Sequence, residues 1–199
     1  MKYEKAFMDY FSKLTLFSAD DAYRFLSRYG ADYPYSKVFL HNMVTSGKLH
    51  RIKKGIFTFS RNEALYGFAY RPFYYGMEFA LSIRKLWTQQ ANPVIMTLTK
   101  ANAGVRNILG TNVIIRRIAE NAFFGFEYLN YMDLFIPVSR PEKIFLDFIY
   151  YGVNLDRETL ISLVNIIQPE VLEEYARKLG ERYSVPALRK FYNLSQNMA

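Results

Sequence analysis

Three residues in the second half of the chain are the first candidates for catalysis. Asp133 lies in a β-rich run, and Glu142 and Lys143 follow it at the start of a predicted helix. Metal-dependent nucleases gather acidic residues and a lysine around a divalent ion. Their pattern is an acidic residue, one spacer and then lysine, whereas Glu142 and Lys143 are adjacent. A nuclease is therefore only the weaker alternative.

The other residue types leave little for a catalytic or metal site. The chain has no cysteine and two histidines, His41 and His50, which excludes disulfides and thiolate metal sites. A phosphate-binding loop would end in Gly-Lys-Ser or Gly-Lys-Thr, and the segment 100–112 lacks that ending. Glu142 suits the first turn of a helix, and Asp147 suits a polar group held beside a sheet. We expect no catalytic residue, no metal and no cofactor.

A second group of residues is suited to binding. The segment LHRIKKGIFTF, residues 49–59, reads as a hairpin with Arg51, Lys53 and Lys54 around its tip. Gly55 can adopt the positive φ of a tight turn. Apolar residues on both strands can anchor the hairpin to a core: Leu49, Ile52, Ile56 and Phe57. Cations held at an exposed tip suggest contact with phosphates.

Three short helices are predicted before this hairpin. The first has apolar residues at helical spacing, and the second begins after the N-cap residue Ser18 and ends at Gly30. The third begins near Pro34 and ends at Gly47. It places four residues on one face: Ser36, Phe39, Leu40 and Met43.

This order of elements predicts a winged helix-turn-helix DNA-binding domain over residues 1–62. In that fold the third helix enters the major groove and the hairpin lies beside it as a wing. The DNA-binding candidates are Tyr35, Ser36, Lys37 and His41 on the third helix, with Arg51, Lys53 and Lys54 on the wing. A winged helix that contacts protein instead of DNA is the first alternative.

Charge is concentrated in the same region. Residues 1–62 carry 11 Lys and Arg against 5 Asp and Glu, a net charge of +6, which leaves +2 of the total +8 for residues 63–199. A basic first domain on a nearly neutral remainder favours a polyanionic partner such as double-stranded DNA.

Residues 63–199 are predicted to form an α+β domain with a mainly antiparallel sheet and a helical C-terminal part. Aromatic residues crowd the segment 61–76 and could stack on bases, although packing between domains explains them better because Arg71 is almost the only cation among them. The N-terminal residues mix charged and apolar types, unlike a signal peptide, and no long uncharged apolar run occurs. We expect a cytoplasmic protein with no membrane partner.

Two stretches together resemble the AbiEi-type antitoxins, the transcription regulators of type IV toxin–antitoxin systems. They are the wing sequence GKLHRIKKGIFTF and the segment VSRPEKIFLDFIYYG before a helical tail. The resemblance extends over almost the whole chain, and its most specific part is Pro141-Glu142-Lys143 with Asp147 following. The middle departs from the family, because the helix around Ala80 continues into RKLW.

The resemblance implies a repressor that binds repeats in its own promoter. It also implies an antitoxin that counters a nucleotidyltransferase-like toxin encoded nearby, without needing a stable complex. On this basis the second domain would oppose the toxin, with Pro141, Glu142, Lys143 and Asp147 as its motif.

Overall fold

The computed structural model describes residues 3–196 and is an α+β fold. The chain divides into two compact units. The first comprises Met1–Ala69 with Asn107–Thr111, and the second comprises Tyr70–Arg106 with Asn112–Ala199. A boundary after residue 62 was expected; the 3-10 helix Glu63–Tyr70 carries the first unit on to Ala69.

The first unit contains three helices and three short strands: α1 (Glu4–Phe11), β1 (Phe17–Ser18), α2 (Ala19–Ser27), α3 (Tyr33–Thr45), β2 (His50–Lys53) and β3 (Ile56–Thr58). The predicted cap of α2 is confirmed, since the Asp21 amide donates to the Ser18 hydroxyl at 3.0 Å. Asp32 caps α3, accepting from the Tyr35 amide at 2.8 Å. These local hydrogen bonds fix where α2 and α3 begin.

Strand β1, which the sequence pattern did not reveal, ties the hairpin to the helices. The strand order is β1-β3-β2, with Phe17 opposite Phe57. Phe7, Phe11 and Phe39 pack with Phe17 in the core, and the rings of Phe11 and Phe17 lie 4.3 Å apart. The Ala19 amide also donates to the Gly55 carbonyl at 2.9 Å. The hairpin is therefore held against the start of α2.

The second unit is built on a six-stranded sheet. Its strands are β4 (Phe73–Tyr75), β5 (Val94–Thr97), β6 (Gly104–Ile108), β7 (Thr111–Arg117), β8 (Phe126–Tyr131) and β9 (Leu134–Ser139). Their order is β6-β7-β5-β4-β9-β8. The helices are α4 (Met77–Ile83), α5 (Pro141–Tyr150), α6 (Arg157–Val164), α7 (Pro169–Leu179) and α8 (Glu181–Gln196). A 3-10 turn, Glu120–Ala122, precedes β8.

The sheet is mixed. Strands β4 and β5 pair antiparallel, as do β8 and β9, whereas β4 pairs parallel with β9 and β5 pairs parallel with β7. The prediction of a mainly antiparallel sheet did not anticipate the two parallel pairs. Each parallel pair is joined by a long connection, β4 to β9 through residues 76–133 and β5 to β7 through residues 98–110, as parallel pairing requires.

The aromatic segment between residues 61 and 76 is mostly buried. Tyr66 belongs to the 3-10 helix, and Phe73, Tyr74 and Tyr75 form the central strand β4; all four side chains are buried. These rings serve cores and are not displayed for stacking on bases. The described residues include no helix long and apolar enough to cross a membrane.

Candidate nucleic-acid interface

Helix α3 presents a polar face with one apolar residue. Its core side carries Ser36, Phe39, Leu40 and Met43, as the spacing predicts. The opposite side exposes five residues: Lys37, Val38, His41, Asn42 and Thr45. The Lys37 ammonium lies 4.4 Å from the centre of the Tyr33 ring, a cation–π contact that restricts the lysine.

The β2–β3 hairpin holds its cations beside this helix. Arg51 and Lys54 are exposed, and Lys53 is half-buried. Burial lowers the pKa of the Lys53 ammonium. Gly55 has φ of 78°, so the turn uses the left-handed conformation that glycine permits. The strand register shifts between Arg51 and Lys53, an irregularity of the kind that changes the direction of side chains.

A groove of about 360 Å³ lies between α3, the start of α2 and the hairpin. We call it the α3–hairpin groove. Four exposed polar side chains line it: Lys37, His41, Arg51 and Lys54. Its apolar lining comes from Tyr23, Tyr33, Leu40, Val44 and Phe57. Residues separated by up to 17 positions in the chain, from Lys37 to Lys54, thus form one positively charged surface.

Two of the predicted candidates on α3 make contacts within the first unit, although Ser36 also lines the α3–hairpin groove. Ser36 is only 2% exposed, and its hydroxyl donates to the Asp32 carbonyl at 2.9 Å, so it supports the helix start. Tyr35 is exposed and lies edge-on to the Tyr3 ring, with centroids 5.9 Å apart. Neither Tyr35 nor Lys53 lines the α3–hairpin groove.

Three outward residues of α3, Val38, Asn42 and Thr45, were not among the predicted site residues, and the first two suit contacts with bases. Val38 is among the most exposed large apolar side chains, and Asn42 lies one turn further on the same face. An asparagine amide can both donate to and accept from an adenine edge, and an apolar side chain can contact a thymine methyl. The helical spacing of the buried residues was the signal that could have identified both.

The Glu142–Lys143–Asp147 motif in the second unit is buried. Lys143 and Asp147 are fully buried and form an ion pair one turn apart on α5. The Tyr74 hydroxyl donates to the other Asp147 oxygen at 3.1 Å. Burial raises the pKa of Asp147, while Lys143 and Tyr74 oppose that rise. Burial also raises the pKa of Tyr74, which keeps its hydroxyl available as a donor.

Neighbouring groups close this buried ion pair from solvent. The Lys143 ammonium lies 5.3 Å from the Phe124 ring centre and 5.4 Å from that of Tyr74. Gly125 has φ of 72°, and a Cβ there would lie 3.0 Å from the Lys143 Cβ. Glu142 accepts from the Gln168 amide at 3.0 Å, which joins α5 to the start of α7. The motif therefore has a structural role in the second unit.

The residues proposed for the nuclease alternative are not arranged around an ion. Asp133 is exposed in the β8–β9 turn, whereas Glu142 is buried and accepts from the Gln168 amide, and Lys143 is buried and paired with Asp147. Over residues 3–196, no group of three or more His, Cys, Asp and Glu side chains is placed to hold a metal.

Comparison with protein-family models gives no match, and comparison with curated proteins gives none either.

Proposed function

We propose that the chain is a sequence-specific DNA-binding transcriptional regulator whose first unit is a winged helix-turn-helix. The observation that supports this most strongly is the α3–hairpin groove, where an exposed helix face and a cationic hairpin tip lie side by side. A helix fits the major groove of B-DNA, and a basic hairpin beside it can contact the flanking phosphates. The +6 charge of residues 1–62 supports the same partner.

The proposal gives the two elements different roles. Arg51, Lys53 and Lys54 contact phosphates, which position the protein but carry no sequence information. Lys37, His41 and Asn42 face base edges, and Val38 provides an apolar contact. Because Ser36 is buried and Tyr35 packs against Tyr3, both support α3 and do not read bases.

Changing the two elements should have separable effects on binding. Lys53→Ala with Lys54→Ala should weaken binding to all duplexes alike, because phosphate contacts are lost. Lys37→Ala or Asn42→Ala should relax the preference at particular base pairs by about 1–3 kcal/mol each. Selection from a random duplex library, followed by titration of selected and scrambled duplexes, measures both.

Thr15→Ala is a suitable control, since its side chain is exposed outside this surface. The assignment of roles is reversed if the lysine pair alters the selected sequence while the helix variants do not. Absence of duplex binding by the full chain contradicts DNA binding and leaves the protein-interaction alternative.

The resemblance to AbiEi-type antitoxins supports a more specific version, an autorepressor that also neutralises a nucleotidyltransferase-like toxin. The charge of residues 63–199, which include the second unit, supports a task beyond DNA binding, because these residues carry a net charge of only +2. Since Glu142, Lys143 and Asp147 are buried, they act in this version by holding the unit together. An exposed surface of the unit then opposes the toxin.

The antitoxin version predicts that neutralisation and DNA binding are separable. The chain with Lys53→Ala and Lys54→Ala should rescue growth when co-expressed with a nucleotidyltransferase-like protein encoded beside its gene, yet fail to repress its promoter. Colony counts and a promoter–reporter fusion measure the two effects. Loss of rescue in this variant at equal protein level contradicts a toxin-opposing role for the second unit.

A further inference from the structure

We propose that the chain self-associates through strand β8, which pairs antiparallel with β8 of a second copy. Strand β8 is one edge of the six-stranded sheet, so no strand of the described chain lies on its outer side. An open edge offers backbone N–H and C=O groups to any extended segment that reaches it. This inference does not depend on DNA binding.

Exposed aromatic side chains lie on the same edge hairpin. Phe135 and Tyr128 are 69% and 66% exposed, the highest values among the large apolar residues described. In the β8–β9 register Tyr128 is opposite Pro137 and Asn130 is opposite Phe135, so Tyr128 and Phe135 are diagonal neighbours on one face. Exposed apolar patches of this kind commonly mark interaction sites. We call the pair with its strand the β8 edge.

The β8 edge lacks the features that usually block strand addition. Its sequence, FEYLNY, contains no lysine and no proline. Strand β6 at the other edge is different, because Arg106 donates to the Val105 carbonyl at 3.1 Å and to the Asn102 carbonyl at 3.2 Å. Strand β6 thus carries a cationic side chain, a feature that discourages strand addition at an edge.

Charge favours a second copy as the occupant. Glu127 is the only charged residue of β8, and it is already paired with Arg84 at 2.7 Å and with Arg140 at 3.5 Å. In a two-fold antiparallel arrangement, Tyr128 of one copy can lie opposite Tyr128 of the other. The same face of the sheet is then on the same side in both copies. That register puts Glu127 opposite Leu129, so no like charges meet.

The same register brings exposed aromatic groups together. Tyr128 packs against its copy at the two-fold axis, and Phe135 lies beside it on the same face of each sheet. Because the arrangement is two-fold, it uses both β8 edges and closes as a dimer instead of growing into a fibre.

A single introduced thiol tests the pairing without disturbing the fold. The chain has no cysteine, so Tyr128→Cys places one thiol on the β8 edge. Directly opposed residues of an antiparallel pair lie close enough for a disulfide. Mild oxidation of the full chain should give a covalent dimer on a non-reducing gel. The matched control is Val105→Cys, an exposed apolar position on the β6 edge, which should stay monomeric.

Sedimentation of the cysteine-free chain gives an independent readout. The wild type should show a dimer of about 47 kDa, twice the 23.4 kDa chain, that forms with rising concentration. Phe135→Glu should raise the dimer dissociation constant about tenfold or more, and Val105→Glu should leave it unchanged. A monomeric wild type overturns the proposal, and so does a dimer that Phe135→Glu leaves intact. Equal cross-linking at positions 128 and 105 also overturns it.

Discussion

Replacing Lys143 by methionine should lower the free energy of unfolding by about 3–5 kcal/mol. Methionine can occupy the apolar space between Phe124 and Tyr74, so the main loss is electrostatic. The change leaves the fully buried Asp147 carboxylate with the Tyr74 hydroxyl but without its ammonium partner. Urea denaturation of the full chain at pH 7 measures the effect.

An exposed pair on α7 provides the matched control. Lys178 and Glu174 are also one turn apart and 2.7 Å from each other, but both side chains are about half exposed. Exposed ion pairs contribute little to stability, so Lys178→Met should leave the urea midpoint unchanged. Similar losses from the two substitutions contradict the structural role given to Lys143.

The pH dependence identifies the cause of the loss. Burial raises the pKa of Asp147, and Lys143 is the largest opposing influence. Without Lys143 the folded-state pKa of Asp147 rises further above its unfolded value of about 3.9. The folded state then binds more protons than the unfolded state, so the deficit of Lys143→Met should grow as pH rises through the folded-state pKa. Adding Asp147→Asn should remove that dependence, because the amide keeps an acceptor for Tyr74.

The predicted loss of stability in Lys143→Met also applies to other variants of the Glu142–Lys143–Asp147 motif. Loss of any activity in a Glu142 or Lys143 variant would follow from a weakened fold. Only substitutions on exposed positions, such as Phe135 or Lys54, separate function from folding.

Local signals in the sequence predicted much of the first unit. Ser18 caps α2 and Gly55 turns the hairpin because both effects depend on neighbouring residues. Strand β1 has only two residues, too few for a pattern, and exists because it pairs with β3. The cations of the candidate interface were predicted, but Ser36 was included although its helical position faces the core.

The second unit was less predictable because its order depends on long-range pairing. Strand β4 consists of three aromatic residues, in a segment that the sequence alone could equally assign to a connection between two domains. It is a strand because it pairs with β5 on one side and β9 on the other. Lysine is rarely buried, so composition favoured an exposed Lys143. The available clue was the spacing of the two charged residues. Asp147 follows Lys143 by one helical turn, and the three residues between them, IFL, are all apolar.

Salt should weaken binding of the full chain to duplex DNA steeply. The basic first domain, with Arg51, Lys53 and Lys54 on its hairpin, can neutralise about four phosphates, and each contact releases counterions from the duplex. The logarithm of affinity should then fall with the logarithm of salt concentration at a slope near −3.6, about 150-fold between 50 and 200 mM. Removing Lys53 and Lys54 should make the slope shallower by about 1.8, because two phosphate contacts disappear.

The most direct test of DNA binding through helix α3 and the β2–β3 hairpin is therefore a salt titration of two proteins, measured by fluorescence anisotropy on one labelled duplex. The wild type should show the slope near −3.6, and the Lys53→Ala, Lys54→Ala variant a slope near −1.8. Affinity that stays flat with salt, or equal slopes for the two proteins, contradicts the assignment of phosphate contacts to this surface.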